Sequence, residues 1–431
     1  MHRILSTELA GRAGEPVRLA GWVHRRRLLK SVAFLILRDR AGLAQIVVAE
    51  PEQRAVLEAL PEESVVEVSG LVRVNASAPG GVELVEPAIV ALTEPTPPLP
   101  FDLYRPELGA ALPTQLDHAP LALRHLRRRA VFQLSAAAVA GFRRTLDGLA
   151  FTEIHTPKLV ASATESGATV FGIDYFGRKA YLAQSPQFYK QMMVGVFERV
   201  YEVGPVFRAE PHDTVRHLAQ YTSLDAELGF IEDHRDVMAV ARTAVAGMLA
   251  EIEERAGAAL STVDIKLPVV PQQIPVVHFA EALELVGRAT GEDLSAEPDL
   301  APAHERWLGT WAAEEYGSDL LFVTGYPMAK RPFYTHPEPG RPAYSNSFDL
   351  LFRGLELATG GQRLHRYGDY LAALALAGLP PDESYLQAFR YGMPPHGGFA
   401  IGLERFVARL VGAANIRQTA LFPRDLHRLT P

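Results

Sequence analysis

The stretch TEPTPPLPFDLYRPE, starting at Thr93, constrains the fold more than any other. Each proline fixes its own φ and removes a backbone donor, so neither a helix interior nor a central strand can run through such a cluster. The chain must divide there. It divides into two parts of different texture. Before the cluster, VRLAGWVHRR, AFLILRD, LAQIVVA, SVVEVSGLVRV and GVELVEPAIVAL are short, β-branched and separated by turn residues. Five such strands with one helical stretch at EQRAVLEAL predict a small all-β barrel of the OB-fold type. Beyond it, RRRAVFQLSAAAVAGFRRTLDGLAF has apolar residues at helical spacing and closes near Gly148. Strands and helices then follow without βαβ alternation, which predicts an α+β domain rather than a doubly wound one. The expected division is 1–97 for the barrel, 98–127 for a semi-rigid linker and 128–431 for the larger domain.

Composition narrows the function. A net charge of −7 leaves no global basic field, so contact with nucleic acid would need a local patch. With no cysteine there is neither a disulfide framework nor a thiolate metal site. No apolar run is long enough to span a bilayer, and the opening MHRILSTELAGRAG lacks an apolar signal segment, so a cytoplasmic protein is expected.

Three constellations carry chemistry. GPVFRAEPHDTVRHLAQYTSLDAELGF places two apolar segments around a polar loop, as a hairpin projecting Arg208, Glu210, His212, Asp213, Arg216 and His217 from a sheet end. Guanidinium forks suit phosphate, and a carboxylate suits an exocyclic amine. FDLLFRGLELATGGQRLHR carries Asp349 and Glu356, two carboxylates suited to Mg²⁺ beside a polyphosphate, with Arg363 behind a Gly-Gly pair. PHGGFAIGLERFVARLVG sets glycines before a helix start near Glu404 and Arg405, a corner where a ligand can approach the backbone. Each alone reads as a solvated loop, a pair of surface charges or a strand–helix corner.

Together, and in this order behind an OB-type domain, the three resemble the class II aminoacyl-tRNA synthetases of the aspartyl, asparaginyl and lysyl subgroup. The compact archaeal-type aspartyl enzymes are the nearest pattern, down to the closing ALFPRDLHRL. The resemblance implies a C-terminal antiparallel sheet flanked by helices, and a homodimer formed through the segment ending at Pro157. It implies that Arg208 holds the ATP α-phosphate, Glu210 the adenine amine and Tyr221 the adenine face. His217 and Arg405 would lie toward the γ-phosphate, Gly402 would also border the ATP, and Asp349 and Glu356 would bind magnesium. No protein nucleophile is needed: a substrate carboxylate attacks the α-phosphorus in line, pyrophosphate leaves, and a tRNA terminal hydroxyl then takes the aminoacyl group.

AQSPQFYKQMM decides the amino acid. The chain has 37 arginines and only six lysines, yet Lys190 stands in this polar, proline-broken segment. Aspartyl relatives carry QSPQ..K and asparaginyl ones lack the lysine. A cation paired with Arg363 favours an anionic side chain over its amide. Ser185, Gln187, Lys190, Asp225 and Arg363 would then form the pocket for L-aspartate, with Glu165 from the loop SATESGATVF near the ammonium group. In the OB domain, Phe34 would stack on an anticodon base, Gln45 and Glu83 would read base edges, and Arg25 and Arg27 would hold phosphates. His24 and Pro79 resemble residues associated with relaxed tRNA choice, which implies charging of both tRNA-Asp and tRNA-Asn. The second product would need an amidotransferase. The competing expectations are an enzyme strict for tRNA-Asp, an asparaginyl enzyme, a free-asparagine synthetase on the same fold, and an inactive tRNA-binding paralogue.

Overall fold

A computed structural model of the chain describes residues 2–161 and 169–430. Two compact units separate at Gln115/Leu116. The boundary lies inside the stretch expected as a linker, where short helices at Leu112–Asp117 and Ala119–Ala122 already stand.

The first unit is a closed five-stranded barrel, in the order β1-β2-β3-β5-β4. The strands are β1 (Pro16–Leu28), β2 (Ala33–Arg38), β3 (Leu43–Val48), β4 (Val65–Val74) and β5 (Val82–Ala91), with helix α1 (Pro51–Ala59) between β3 and β4. Alternate residues, among them Leu19, Leu35, Leu37, Ile46, Val66, Val68 and Leu84, point inward and are fully buried. The alternation breaks once. The β1–β2 register shifts between Val23 and Arg25, so His24 is the extra residue of a bulge.

The second unit is built on an eight-stranded sheet ordered β9-β10-β11-β12-β13-β8-β7-β6. These strands are β6 (Thr152–Glu153), β7 (Arg199–Phe207), β8 (Gln220–Gly229), β9 (Val276–His278), β10 (Leu320–Thr324), β11 (Ser347–Phe352), β12 (Glu356–Gln362) and β13 (His396–Gly402). The six central strands are antiparallel, as expected, but both edge strands pair in parallel. Helices α2 (Leu126–Gly148) and α4 (His234–Arg255) cover one face. They bury Leu134, Phe142, Val245 and Met248 against Leu224, Ala226, Phe348, Leu350 and Ile401 of the sheet.

Strand β8 shows how one sequence serves two faces. Leu224, Ala226 and Leu228 enter the apolar core, whereas Ser223, Asp225 and Glu227 alternate with them onto the opposite face. Cross-strand partners continue that second face as a row of Asp349, Thr359, Ala400 and Asp225. The next row on the same face is Ser347, Gly361, Gly398 and Glu227. Helix α3 (Gln187–Phe197) lies against it, bringing Lys190 to the sheet.

Helices α2 and α4 meet at glycines. A Cβ on Gly141 would stand 2.5 Å from the Gly247 carbonyl oxygen and 2.7 Å from Met248 Cα, both backbone atoms that cannot rotate away. Gly141→Ala should therefore destabilise the larger unit by about 1–3 kcal/mol through overpacking, read as a lowered urea midpoint. An unchanged or raised midpoint would show that the two helices can separate without loss.

Candidate functional site

The hairpin of β7 and β8 projects the loop 208–219 beside β12 and the start of helix α7 (Leu403–Val411). A pocket of about 350 Å³ opens there. Its walls include Arg208, Glu210, His217, Tyr221, Glu356, Gly402 and Arg405, all seven expected at a nucleotide. The Arg208 guanidinium lies over the Tyr221 ring, 5.7 Å from its centre. Arg405 Nη1 donates to the Glu356 carbonyl (2.9 Å) and carboxylate (3.2 Å). His217 accepts or donates at Thr214 Oγ1 (2.6 Å). Burial, and then His212, Arg405, Arg216 and Arg208, depress its pKa to about 4, so the imidazole is neutral at physiological pH.

The loop itself is held from the C-terminal side. Arg417 donates to the Thr214 carbonyl (3.1 Å) and to Asp213 (3.1 Å), while Asp425 fixes its Nε at 2.5 Å. This clamp was not foreseen; no spacing in the sequence links position 417 to position 213.

Asp349 stands behind the pocket rather than on its wall. Arg331 Nη2 bonds it at 3.0 Å. Burial, opposed by Arg331 and reinforced by Glu356, raises its carboxyl to about 6. Glu356 is held below the ordinary range because Arg405, Arg331 and Arg208 outweigh the effect of burial. Among the described residues no third side-chain ligand joins them. Two coupled carboxylates offer hard oxygen donors of the kind Mg²⁺ accepts when phosphate and water complete its shell.

Ser223 links the nucleotide pocket to a buried ionic cluster. It lines the pocket, and its hydroxyl donates to Asp225 Oδ2 at 2.5 Å. Asp225 Oδ1 accepts from Lys190 Nζ at 3.0 Å. Lys190 is 1% exposed, so the alternative of a surface helix residue is excluded. Its ammonium has three donors, and it reaches Asp225, the Phe399 carbonyl (3.2 Å) and Glu227 Oε2 (3.3 Å). Glu227, which is completely buried, also accepts from Arg363 Nε at 3.0 Å. Burial would raise its carboxyl, but Arg363 and Lys190 hold it below the usual carboxylate range. Arg363 Nη2 donates to the Gly398 carbonyl at 3.0 Å and approaches Gln187 Oε1 at 3.5 Å. Ser185 and Gln187 are buried beside the cluster, and Gln187 Nε2 has no hydrogen-bond partner among the described residues. Glu165 lies outside the described residues.

Glu227 was missed from the sequence, although LDAEL contains the signal: two acids two apart in an apolar strand share a face. The glycines of PHGGFAIG also have a different use from the one expected. Gly397 and Gly398 lie inside β13, and a Cβ on Gly398 would fall 2.0 Å from Glu227 Oε2. Gly398 thus provides clearance for a buried charge, while a Cβ on Gly397 would meet the Gly361 carbonyl, Val237 and Ile231; of the three glycines only Gly402 borders the pocket. Beneath the cluster, Gln191 bonds Tyr370 (2.9 Å), Tyr385 (2.9 Å) and His396 (3.1 Å). Burial lowers the His396 pKa to about 4. Donation from Nδ1 to the Pro394 carbonyl then leaves Nε2 to accept from Gln191.

In the first unit, one outer face of the barrel gathers most of the residues expected at nucleic acid. Arg25, Ile36 and Gln45 form one cross-strand row, and Arg27, Phe34 and Val47 the next. Gln45 Nε2 donates to Glu83 (3.0 Å), which also receives Arg73 and Asn75. Tyr104 orders both arginines, through its hydroxyl to Arg27 (2.7 Å) and its ring under Arg25. Pro79 is exposed in the β4–β5 turn. His24 is not on this surface. The bulge turns it inward to 3% exposure, where it meets Arg38 at 3.2 Å, and Arg38 in turn pairs with Glu63 at 2.7 Å.

Comparisons agree with both units. Residues 112–426 match the family model of tRNA synthetases class II (D, K and N), and residues 17–92 that of the OB-fold nucleic acid binding domain. An aspartate–tRNA(Asp/Asn) ligase of Thermus thermophilus is 47% identical, over all of both chains. The asparaginyl-tRNA synthetase of Pyrococcus horikoshii, solved with asparaginyl-adenylate, superposes with a TM-score of 0.93 at 31% identity, covering all of both chains. An aspartyl-tRNA synthetase of Entamoeba histolytica gives 0.89 at 29% identity, covering all of this chain and 93% of that one. The chain belongs to the class II tRNA synthetases of the D, K and N group, with an OB-fold nucleic acid binding domain preceding the synthetase domain.

Proposed function

We propose that the chain activates L-aspartate with ATP and attaches it to both tRNA-Asp and tRNA-Asn. The observation that carries this is the buried quartet of Lys190, Asp225, Glu227 and Arg363, reached from the nucleotide pocket through Ser223. Two cations face two carboxylates, so the quartet is neutral overall. Arg363 Nη1 has no protein partner among the described residues and is the donor left for a substrate carboxylate, Nε and Nη2 being engaged with Glu227, Gly398 and Gln187. Lys190 already hydrogen-bonds Asp225 and the Phe399 carbonyl and stands 3.3 Å from Glu227 Oε2. Its contribution is charge: without it the quartet would be −1 and would repel an aspartate side chain more than an asparagine one. Asp225 and the Gln187 carboxamide stand ready for the α-ammonium and α-carboxylate ends.

In the reaction, Arg208 and Arg405 take the charge of the triphosphate, Glu210 and Tyr221 orient the adenine, and no side chain forms a covalent bond. Asp349 and Glu356 would hold Mg²⁺, which when bound offsets phosphate charge. The aspartate carboxylate displaces pyrophosphate at the α-phosphorus, and a terminal tRNA hydroxyl then displaces AMP. Phe34, Gln45, Glu83, Arg25 and Arg27 would hold the anticodon. His24, sunk beneath that face, would act on base choice through Arg38 rather than by touching a base, and Pro79 through the shape of its turn. The chain is expected to work in the cytoplasm as a homodimer, and its product on tRNA-Asn would pass to a tRNA-dependent amidotransferase.

Charging purified tRNA-Asp and tRNA-Asn transcripts with Asp and with Asn tests the whole reading. Aspartate should go onto both tRNAs, at kcat/KM values within about tenfold of each other. A preference for tRNA-Asp above a hundredfold would restrict the enzyme to that tRNA, and charging with Asn alone would overturn the amino-acid assignment. Lys190→Met should reduce aspartate-dependent pyrophosphate exchange by about 10²–10³, the effect of leaving a buried charge uncompensated. ATP binding should stay within threefold, roughly the noise of a remote substitution, and shows that the variant is folded. Undiminished exchange would remove Lys190 from the pocket.

Nucleotide binding should also move a proton. The cations around His217 depress its pKa, and a bound triphosphate neutralises them, so binding should raise that pKa and draw in a proton below neutral pH. At pH 6, full relief to the ordinary value gives an uptake of up to ~0.7 proton. Calorimetry in buffers of different ionisation enthalpy should show this, less in His217→Gln; equal uptake by both proteins would assign the proton elsewhere.

A further inference from the structure

A second recess of about 200 Å³ adjoins the nucleotide pocket, sharing Arg216, Arg405 and Ile416 with it. Its other charged walls are Arg306, from helix α6 (Pro302–Tyr316), and Arg409, from α7. The turn at Gly354 and Leu355 closes the side between them. Four guanidiniums around a space that holds several water volumes of ~30 Å³ are an unusual concentration in a chain of net negative charge.

Their pairing is incomplete. Arg216 reaches Glu305 at 3.4 Å, and Arg405 is engaged with Glu356. Glu305 is buried and pairs with Arg216 alone of the four. Neither Arg306 nor Arg409 has a carboxylate within ion-pair distance among the described residues, and Arg409 Nε is buried without a hydrogen-bond partner. Burial, Arg353, Arg216 and Arg306 all disfavour the charge on Arg409, with Glu305 opposing them. Like charges held this close are costly unless an anion joins them.

We propose that this recess is an anion site that receives pyrophosphate as it leaves the nucleotide pocket. It rests on the reading of that pocket as a triphosphate site. Arg405 and Arg216 border both spaces, so the leaving anion can move from one to the other without losing guanidinium contacts. Arg306 and Arg409 line the recess and not the nucleotide pocket, which makes them the diagnostic residues.

The test fills the nucleotide pocket of the full-length protein with a non-hydrolysable ATP analogue and titrates pyrophosphate by calorimetry. The filled protein should still bind pyrophosphate. Arg306→Gln and Arg409→Gln should each weaken that binding by about five- to tenfold, the loss of one charge-assisted contact, with analogue affinity unchanged. Inorganic phosphate, run in parallel, should bind more weakly with the same ranking of variants. Arg306 is exposed, so its replacement leaves folding intact even if that of Arg409 does not. No pyrophosphate binding to the filled protein, or equal binding by wild type and both variants, overturns the proposal. So do variants that raise the KM for tRNA while binding pyrophosphate normally, since the arginines would then serve tRNA phosphates. If the analogue itself does not bind, the triphosphate reading fails, and the same two variants titrated in the unfilled protein still decide whether the recess is an anion site.

Discussion

Glu227 is the constraint around which the larger unit is arranged. A carboxylate with no exposure is tolerated only when cations and donors surround it, and here Arg363 and Lys190 do so from opposite sides. The arrangement fixes the geometry of everything next to it. Lys190 must come from a helix laid against the sheet, Arg363 from the end of β12, and the neighbouring strands must offer glycine. Gly398 does so in the same cross-strand row, and the space it leaves is what the carboxylate fills. The proposed amino-acid pocket is therefore an extension of the sheet itself, rigid because the strands are.

That rigidity bears on selectivity. A pocket made only of cations would draw any anion, including the carboxylate end of other amino acids. A neutral quartet with one open guanidinium donor demands that charge and position agree together, which is the way an aspartate side chain differs from an isosteric amide. The fold alone does not draw this line: an asparaginyl enzyme superposes on the chain as well as an aspartyl one does. The distinction lives in a few side chains on a shared frame.

Much of this was legible in the sequence, for reasons that can be stated. Barrel strands announce themselves by alternation, the long helix by its period, and the domain break by prolines, since all three are local. The gathering of Arg208, Glu210 and His217 at one pocket was legible as well, because the hairpin loop keeps them within ten residues. What stayed hidden depends on partners far away in sequence. A bulge at His24 is set by how β1 counts against β2, and it converts an expected surface residue into an internal one. The glycines in β13 looked like a ligand corner, and only the neighbouring strand shows that Gly398 clears space for Glu227. The Arg417 clamp and the Arg306–Arg409 recess join segments far along the chain from the loop they serve.

Those two hidden features act on the same loop from opposite ends. Arg417 holds Asp213 and the Thr214 carbonyl at the tip, while Arg216 leans on Glu305 toward α6. The first contact is to a backbone oxygen and an exposed acid and does not depend on ligand charge. The second is to Glu305, whose carboxyl burial and Glu356 push up to about 7, so its strength changes with whatever anion stands beside it. A polyanion near Arg216 would compete with Glu305 for that guanidinium and favour the protonated carboxyl, loosening the loop at that end while the tip stays clamped. The loop is thus clamped at 213–214 whatever the ligand charge, and adjustable at Arg216.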